Sequence, residues 1–210
     1  MTLCFHPTSW LLGDLALDAG ATLHQVHQEV YAADAFNPST KGNARFSPIQ
    51  DGQGHVIPTI YAAHTFDGAL METVFPGVPY ALGPKQFSQE KLAGQLHSCL
   101  TISTPLILAD LTSTALRAMG VQRNQFIDTE ADQYPATRKW AIAVHAQHPQ
   151  AQGLLWVSRQ DDTDRAVLLF GDRITPEALR QIGKSRLLTS GSGLEKVVLL
   201  ADRIGVNIVP

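Results

Sequence analysis

The sequence predicts a single α+β domain with mixed and antiparallel sheets flanked by helices, and three observations carry that expectation. A chain of 210 residues with 44% hydrophobic and 17% charged content supplies enough apolar surface for one sizeable core. Segments rich in aliphatic and β-forming residues interleave with amphipathic helical segments. No internal repeat, low-complexity tract or linker separates them, so the elements belong to one body.

The elements follow in order. Residues 1–22 read as an N-terminal extension, in which Trp10, Leu11, Leu12, Leu15 and Leu17 predict a short helix laid against the body. The run from Val56 to Ala63 predicts a strand that carries Tyr61. Thr65 then caps a helix over 66–75, with Phe66, Ala69, Leu70, Thr73 and Val74 on one face and Pro76-Gly77 as its stop. Glu72 falls off that face, one turn from Gly68, whose missing side chain leaves space for a ligand or another backbone. Strands are expected near 96–103 and 105–111, helices near 112–119 and 135–147, and strands again near 153–158 and 165–170. Asp161-Asp162-Thr163-Asp164 is the loop of a hairpin between the last two, placing Ser158 at a strand end beside the turn. Helical signals near 176–182 and 193–204 make residues 171–210 a helix and strand tail packed on the same domain.

Composition excludes several function classes. No apolar run approaches a membrane span, and Met1–Gly20 has neither a basic start nor a small-residue cleavage site, so a cytoplasmic protein is expected. The net charge of -3 argues against direct nucleic-acid binding through a broad basic face. Cys4 and Cys99 form neither a disulfide framework nor a metal cluster in sequence and are expected to be buried or inert thiols. Eight histidines show no compact metal spacing. His24 and His27 stand three apart, but no acidic third ligand lies nearby, so no metal is expected.

Four short stretches, in order, are similar to one known family. They are Gly42-Asn43-Ala44-Arg45-Phe46-Ser47-Pro48-Ile49, Ile60-Tyr61-Ala62-Ala63, Ala69-Leu70-Met71-Glu72 and Gly153-Leu154-Leu155-Trp156-Val157-Ser158. Tyr134-Pro135-Ala136-Thr137, ahead of the last, fits as well. The pattern resembles the RES domain, named for an arginine, a glutamate and a serine, over residues 23–170. The resemblance implies a fold related to the ADP-ribosyltransferases and chemistry on NAD as substrate, with no metal. It also implies a toxin neutralised by a small antitoxin carrying a helix-turn-helix domain.

Cleavage of the nicotinamide–ribose bond builds positive charge on the ribose, which a carboxylate stabilises more in the transition state than in the ground state. The resemblance gives that role to Glu72. It gives phosphate binding to Arg45, whose guanidinium is bidentate and always charged, and nicotinamide stacking to Tyr61. Ser158 would bind phosphate or the incoming nucleophile through its hydroxyl.

Each residue also has a plainer reading. Arg45 fits an ion pair in a loop, Tyr61 a core tyrosine, Glu72 a solvated helix shoulder and Ser158 a turn cap. One departure stands out: family members carry an arginine in the first strand, where Leu23-His24-Gln25-Val26-His27 has glutamine. Gln25 would make a weakened phosphate contact. Two functions from different classes follow, an NAD-cleaving enzyme using phosphate, water or a protein as acceptor, or a module that binds NAD, ADP-ribose or a partner protein without turnover. A soluble α/β interaction protein is the third.

Overall fold

In the computed structural model, which describes residues 12–210, the aliphatic segments assemble into one curled sheet of eight strands with four α-helices around it. The first half contains β1 (Asp14–Leu17), β2 (Thr22–Gln28), β3 (Ile49–Gln50), β4 (Val56–Ile57), β5 (Thr59–Ala63), α1 (Phe66–Thr73), β6 (Lys85–Ser88) and β7 (Gln95–Ile102). The second half contains β8 (Leu106–Asp110), α2 (Ser113–Ala118), α3 (Tyr134–Gln147), β9 (Gly153–Val157), β10 (Arg165–Phe170), β11 (Leu179–Leu187), α4 (Gly191–Arg203) and β12 (Val206–Val209). The large sheet runs β1-β8-β9-β10-β5-β2-β7-β11, while β12 with β6 and β3 with β4 form two-stranded ribbons. Only the β8–β9 pair of the large sheet is parallel, because its connection carries α2 and α3.

The central strands explain the core. In β9 and β10, Gly153–Trp156 and Ala166–Phe170 are buried without a break, as expected for strands covered on both faces. Successive side chains point to opposite faces. Trp156 accordingly joins Phe46, Phe126 and Phe170 in a cluster under α3, whereas Leu155 joins Leu23, Ile60, Leu100 and Leu169 on the other side. A third cluster holds α1 and α4 to the sheet through Phe66, Leu70, Phe75, Val197 and Leu200. Each fully buried phenylalanine contributes about 1.5–3 kcal/mol. Gly153 is required where β9 meets β10, since a Cβ there would lie 2.3 Å from the Leu168 carbonyl oxygen.

Three elements differ from the sequence reading. Asp14–Leu17 is a strand paired with β8, not part of a helix, because its alternating residues close the edge that β8 would otherwise leave open. The rest of the predicted N-terminal helix lies outside the described residues. The run 56–63 is cut at Pro58, which has no amide hydrogen for a ladder, so β4 and β5 belong to different sheets. The predicted helix near 176–182 is a single 3-10 turn, Pro176–Ala178, followed by β11 along the edge of β7. Pro176 reads as a helix start, but the free edge of β7 captures the chain. Its register shifts between Ile182 and Arg186, around Gly183 at φ 67°. No helix among the described residues is long and apolar enough to cross a membrane.

Candidate functional site

A cleft of about 530 Å³ opens where β2 and β5 part beside their one paired position, His24 with Ala63, and Gln25, Arg45, Tyr61 and Glu72 all line it. That volume lies within the range of small-molecule and cofactor sites. Strand alternation turns Gln25 and His27 toward the cleft, with Asn43 and Tyr134 on the wall around Arg45.

Glu72 stands on α1, and the helix is fixed at both ends by the β9–β10 loop. At its start, the Thr65 hydroxyl accepts from the Gly68 amide (3.0 Å) and donates to Asp164 Oδ2 (2.8 Å), which also accepts from the Thr65 amide (3.1 Å). At its far end, Ser158 Oγ donates to Glu72 Oε1 at 2.6 Å. The Ser158 hydroxyl also accepts from the backbone amides of Gln160 (3.0 Å) and Asp161 (3.2 Å) and is fully buried. Its hydrogen-bonding capacity is therefore spent on holding Glu72 and the loop, which leaves none for a phosphate. The space predicted beside Gly68 is filled too. A Cβ there would lie 1.6 Å from Asp164 Oδ2, so the glycine admits a carboxylate of the protein rather than a ligand. Thr73, expected on the packed face, is exposed at the cleft, and Met71 is buried in its stead.

Arg45 is buried, and five residues hold it and its loop. Arg45 Nη1 donates to the Thr129 carbonyl at 3.1 Å and also bonds Thr129 Oγ1, while the guanidinium carbon lies 5.0 Å from the centre of the Tyr134 ring. The Thr137 hydroxyl donates to the Arg45 carbonyl, and Arg138 Nη1 donates to Asn43 Oδ1 (2.9 Å) and to the Ala44 carbonyl (3.2 Å). From below, the Tyr61 hydroxyl accepts the Phe46 amide at 2.7 Å. Burial pushes the Tyr61 phenol well above its ordinary range, so it stays protonated, and its ring packs edge-on against Trp156. The Thr129 carbonyl and hydroxyl and the Tyr134 ring thus preset the guanidinium position before any ligand arrives.

Gln25 is buried, and its Oε1 has no hydrogen-bond partner among the described residues. A buried amide oxygen without a partner costs about 1–3 kcal/mol, a cost removed if a ligand donor fills the cleft. His27, beside it, has Nδ1 3.1 Å from the Gln28 carbonyl and Nε2 2.8 Å from Ser98 Oγ. Because the carbonyl only accepts, Nδ1 carries the hydrogen in the neutral ring and Nε2 accepts from Ser98, which in turn lies 2.7 Å from Ser185 Oγ. Arg159, which donates to the Thr129 carbonyl at 2.7 Å, also bonds Glu130, which lowers the Glu130 carboxyl and raises the Arg159 guanidinium.

The structure therefore brings Gln25, Arg45, Tyr61 and Glu72 to one cleft and puts Ser158 directly behind Glu72. Sequence reasoning missed the supporting set, namely Thr129, Thr137 and Asp164, together with His27 on the floor. Thr137 lies in a stretch already singled out, Tyr134-Pro135-Ala136-Thr137, but no spacing reveals that its hydroxyl reaches a loop 92 residues away. The RES domain family model matches residues 22–187, a span that contains all five predicted site residues and runs through β11. Comparison with curated proteins gives no match.

Proposed function

The chain belongs to the RES domain family, and from that premise and the cleft we propose an enzyme that splits NAD at the nicotinamide–ribose bond. The observation that carries the proposal is the carboxylate of Glu72, oriented by Ser158 in the same cleft as Arg45 and Tyr61. In this reading the C1–N bond breaks with its electron pair leaving on nicotinamide, and Glu72 offsets the charge that develops on the ribose. Arg45 binds the pyrophosphate, Tyr61 stacks on nicotinamide, and Ser158 acts through Glu72 as a positioning residue. An oxygen of phosphate, water or a protein side chain then bonds to C1 and gives up its proton. As the family resemblance implies, the protein is a toxin whose partner is a helix-turn-helix antitoxin.

The test is release of nicotinamide from NAD, followed by mass spectrometry of the products with and without phosphate. Free ADP-ribose, phosphorylated ADP-ribose and modified protein differ in mass. Glu72→Gln keeps an acceptor for Ser158 but removes the charge, so release should fall about 10²–10³-fold. Equal rates for the two proteins would refute the role. Gln25 favours a second reading, a module that binds NAD or ADP-ribose without turnover, since the cleft lacks the family's first-strand arginine. Saturable heat on adding NAD, with no nicotinamide released, would select it.

A further inference from the structure

We propose that His24, His97 and Cys99 form a site for a thiophilic divalent cation such as Zn²⁺, on the face of the sheet that α1 covers. On the antiparallel pair of β2 and β7, His24 stands opposite Cys99, and Val26 opposite His97. Residues two apart on a strand share a face, so both histidines and the cysteine project to the same side, whereas Gln25 and His27 project to the other. His24 and His27, compared as ligands in the sequence, are thus on opposite faces. The partner of His24 is 73 residues away.

The donor atoms converge. His24 Nδ1 lies 2.9 Å from His97 Nε2, and Cys99 Sγ lies 3.7 Å from the first and 4.0 Å from the second. Tetrahedral zinc with nitrogen at about 2.0–2.1 Å and sulfur at about 2.3 Å keeps its donor atoms about 3.3–3.6 Å apart. Movements of roughly half an ångström, within reach of side-chain rotation, convert the present triangle into that geometry. Two imidazoles and a thiolate supply three protein ligands, leaving one position for water or an added ligand. Their softness selects zinc, cobalt or copper over magnesium or calcium.

The surroundings favour this use over simple packing. His97 is buried and aims Nε2 at the cluster, while its Nδ1 has no hydrogen-bond partner among the described residues. The Phe66 ring stacks on the His97 ring at a centroid distance of 3.5 Å and fixes its orientation. The charged groups acting on His24 are Asp164, which favours a cation, and Arg186 and Lys196, which oppose one; Arg186 also acts on His97. The thiolate formed when Cys99 releases its proton on binding offsets part of that opposition. A bound ion would tie β2 to β7 directly beneath α1.

The test uses the full chain stripped of metal and titrated with Co²⁺. One cobalt per chain should bind, with thiolate-to-cobalt charge-transfer absorption in the near ultraviolet, and Zn²⁺ should displace it. Cys99→Ser should abolish that band while leaving the far-ultraviolet circular dichroism intact, and His24→Asn should weaken binding by more than about tenfold. Zn²⁺ should also raise the unfolding temperature of the wild type and not that of Cys99→Ser. A wild type without the band, or a band that persists in Cys99→Ser because Cys4 supplies the thiol, overturns the site.

Discussion

At the scale of single residues, the acid of the cleft and the serine behind it act as a pair. Ser158→Ala removes the donor to Glu72 and strands two backbone amides, those of Gln160 and Asp161. The expected cost is about 1–3 kcal/mol in urea unfolding. Under the proposed reaction, kcat falls about 10²-fold through misplacement of the carboxylate, with KM for NAD nearly unchanged. A rise in KM alone would return Ser158 to a direct phosphate contact. Gln25→Arg gives the cleft a second cation beside Arg45, and a charge-assisted hydrogen bond of about 1.5–3 kcal/mol lowers KM for NAD about 10–150-fold. An unchanged or higher KM, in a variant that folds, counts against that position as a phosphate contact. That Arg45, Tyr61 and Glu72 share one cleft was legible because motif order survives folding. The saturation of Ser158 was not, because it depends on two amides in a turn whose geometry no residue pattern specifies. Likewise, three aspartates share the loop 161–164, and only the fold reveals that Asp164 turns inward.

At the scale of elements, α1 is the part on which the chemistry rests. Its start and stop were readable from Thr65, Pro76 and Gly77, and its bounds agree to within two residues. Its anchoring was not, since the β9–β10 loop that grips both ends is almost one hundred residues away in sequence. Gly68→Ala tests the grip. The new Cβ, 1.6 Å from Asp164 Oδ2, must expel the carboxylate that supports the Thr65 cap. Overpacking and loss of the cap together cost roughly 2–4 kcal/mol, read as a lower urea midpoint. A midpoint equal to that of the wild type would show that the loop does not hold the helix. The 176–182 segment marks the opposite case. Ala178, Leu179 and Ile182 fit a helical stripe, yet pairing with β7 satisfies a whole row of backbone groups that a short helix would leave open.

At the scale of the whole molecule, sheet order was beyond sequence reading, because β1 pairs with β8 and β7 with β11 across long stretches of chain. The α+β class was legible from the interleaved patterns alone. Three partly or fully buried histidines, two of them the neighbouring pair His24 and His97, make the whole fold acid-sensitive. Desolvation lowers the pKa of His24, His64 and His97 from 6.5, the last to about 3. Below pH 6.5 the unfolded chain takes up protons that the folded chain refuses, so stability is complete above that pH and declines toward about pH 3. In metal-free buffer the unfolding temperature should drop between about pH 7 and about pH 5, before most carboxylates titrate. A flat or rising profile would contradict the sign. The outermost strand has a different consequence. With Arg180, Lys184 and Arg186 strung along β11 and a slipped register at its middle, the molecule ends in a charged, crooked border. Such a border repels its own kind, and crowded copies are denied the straight template from which fibrous aggregates grow.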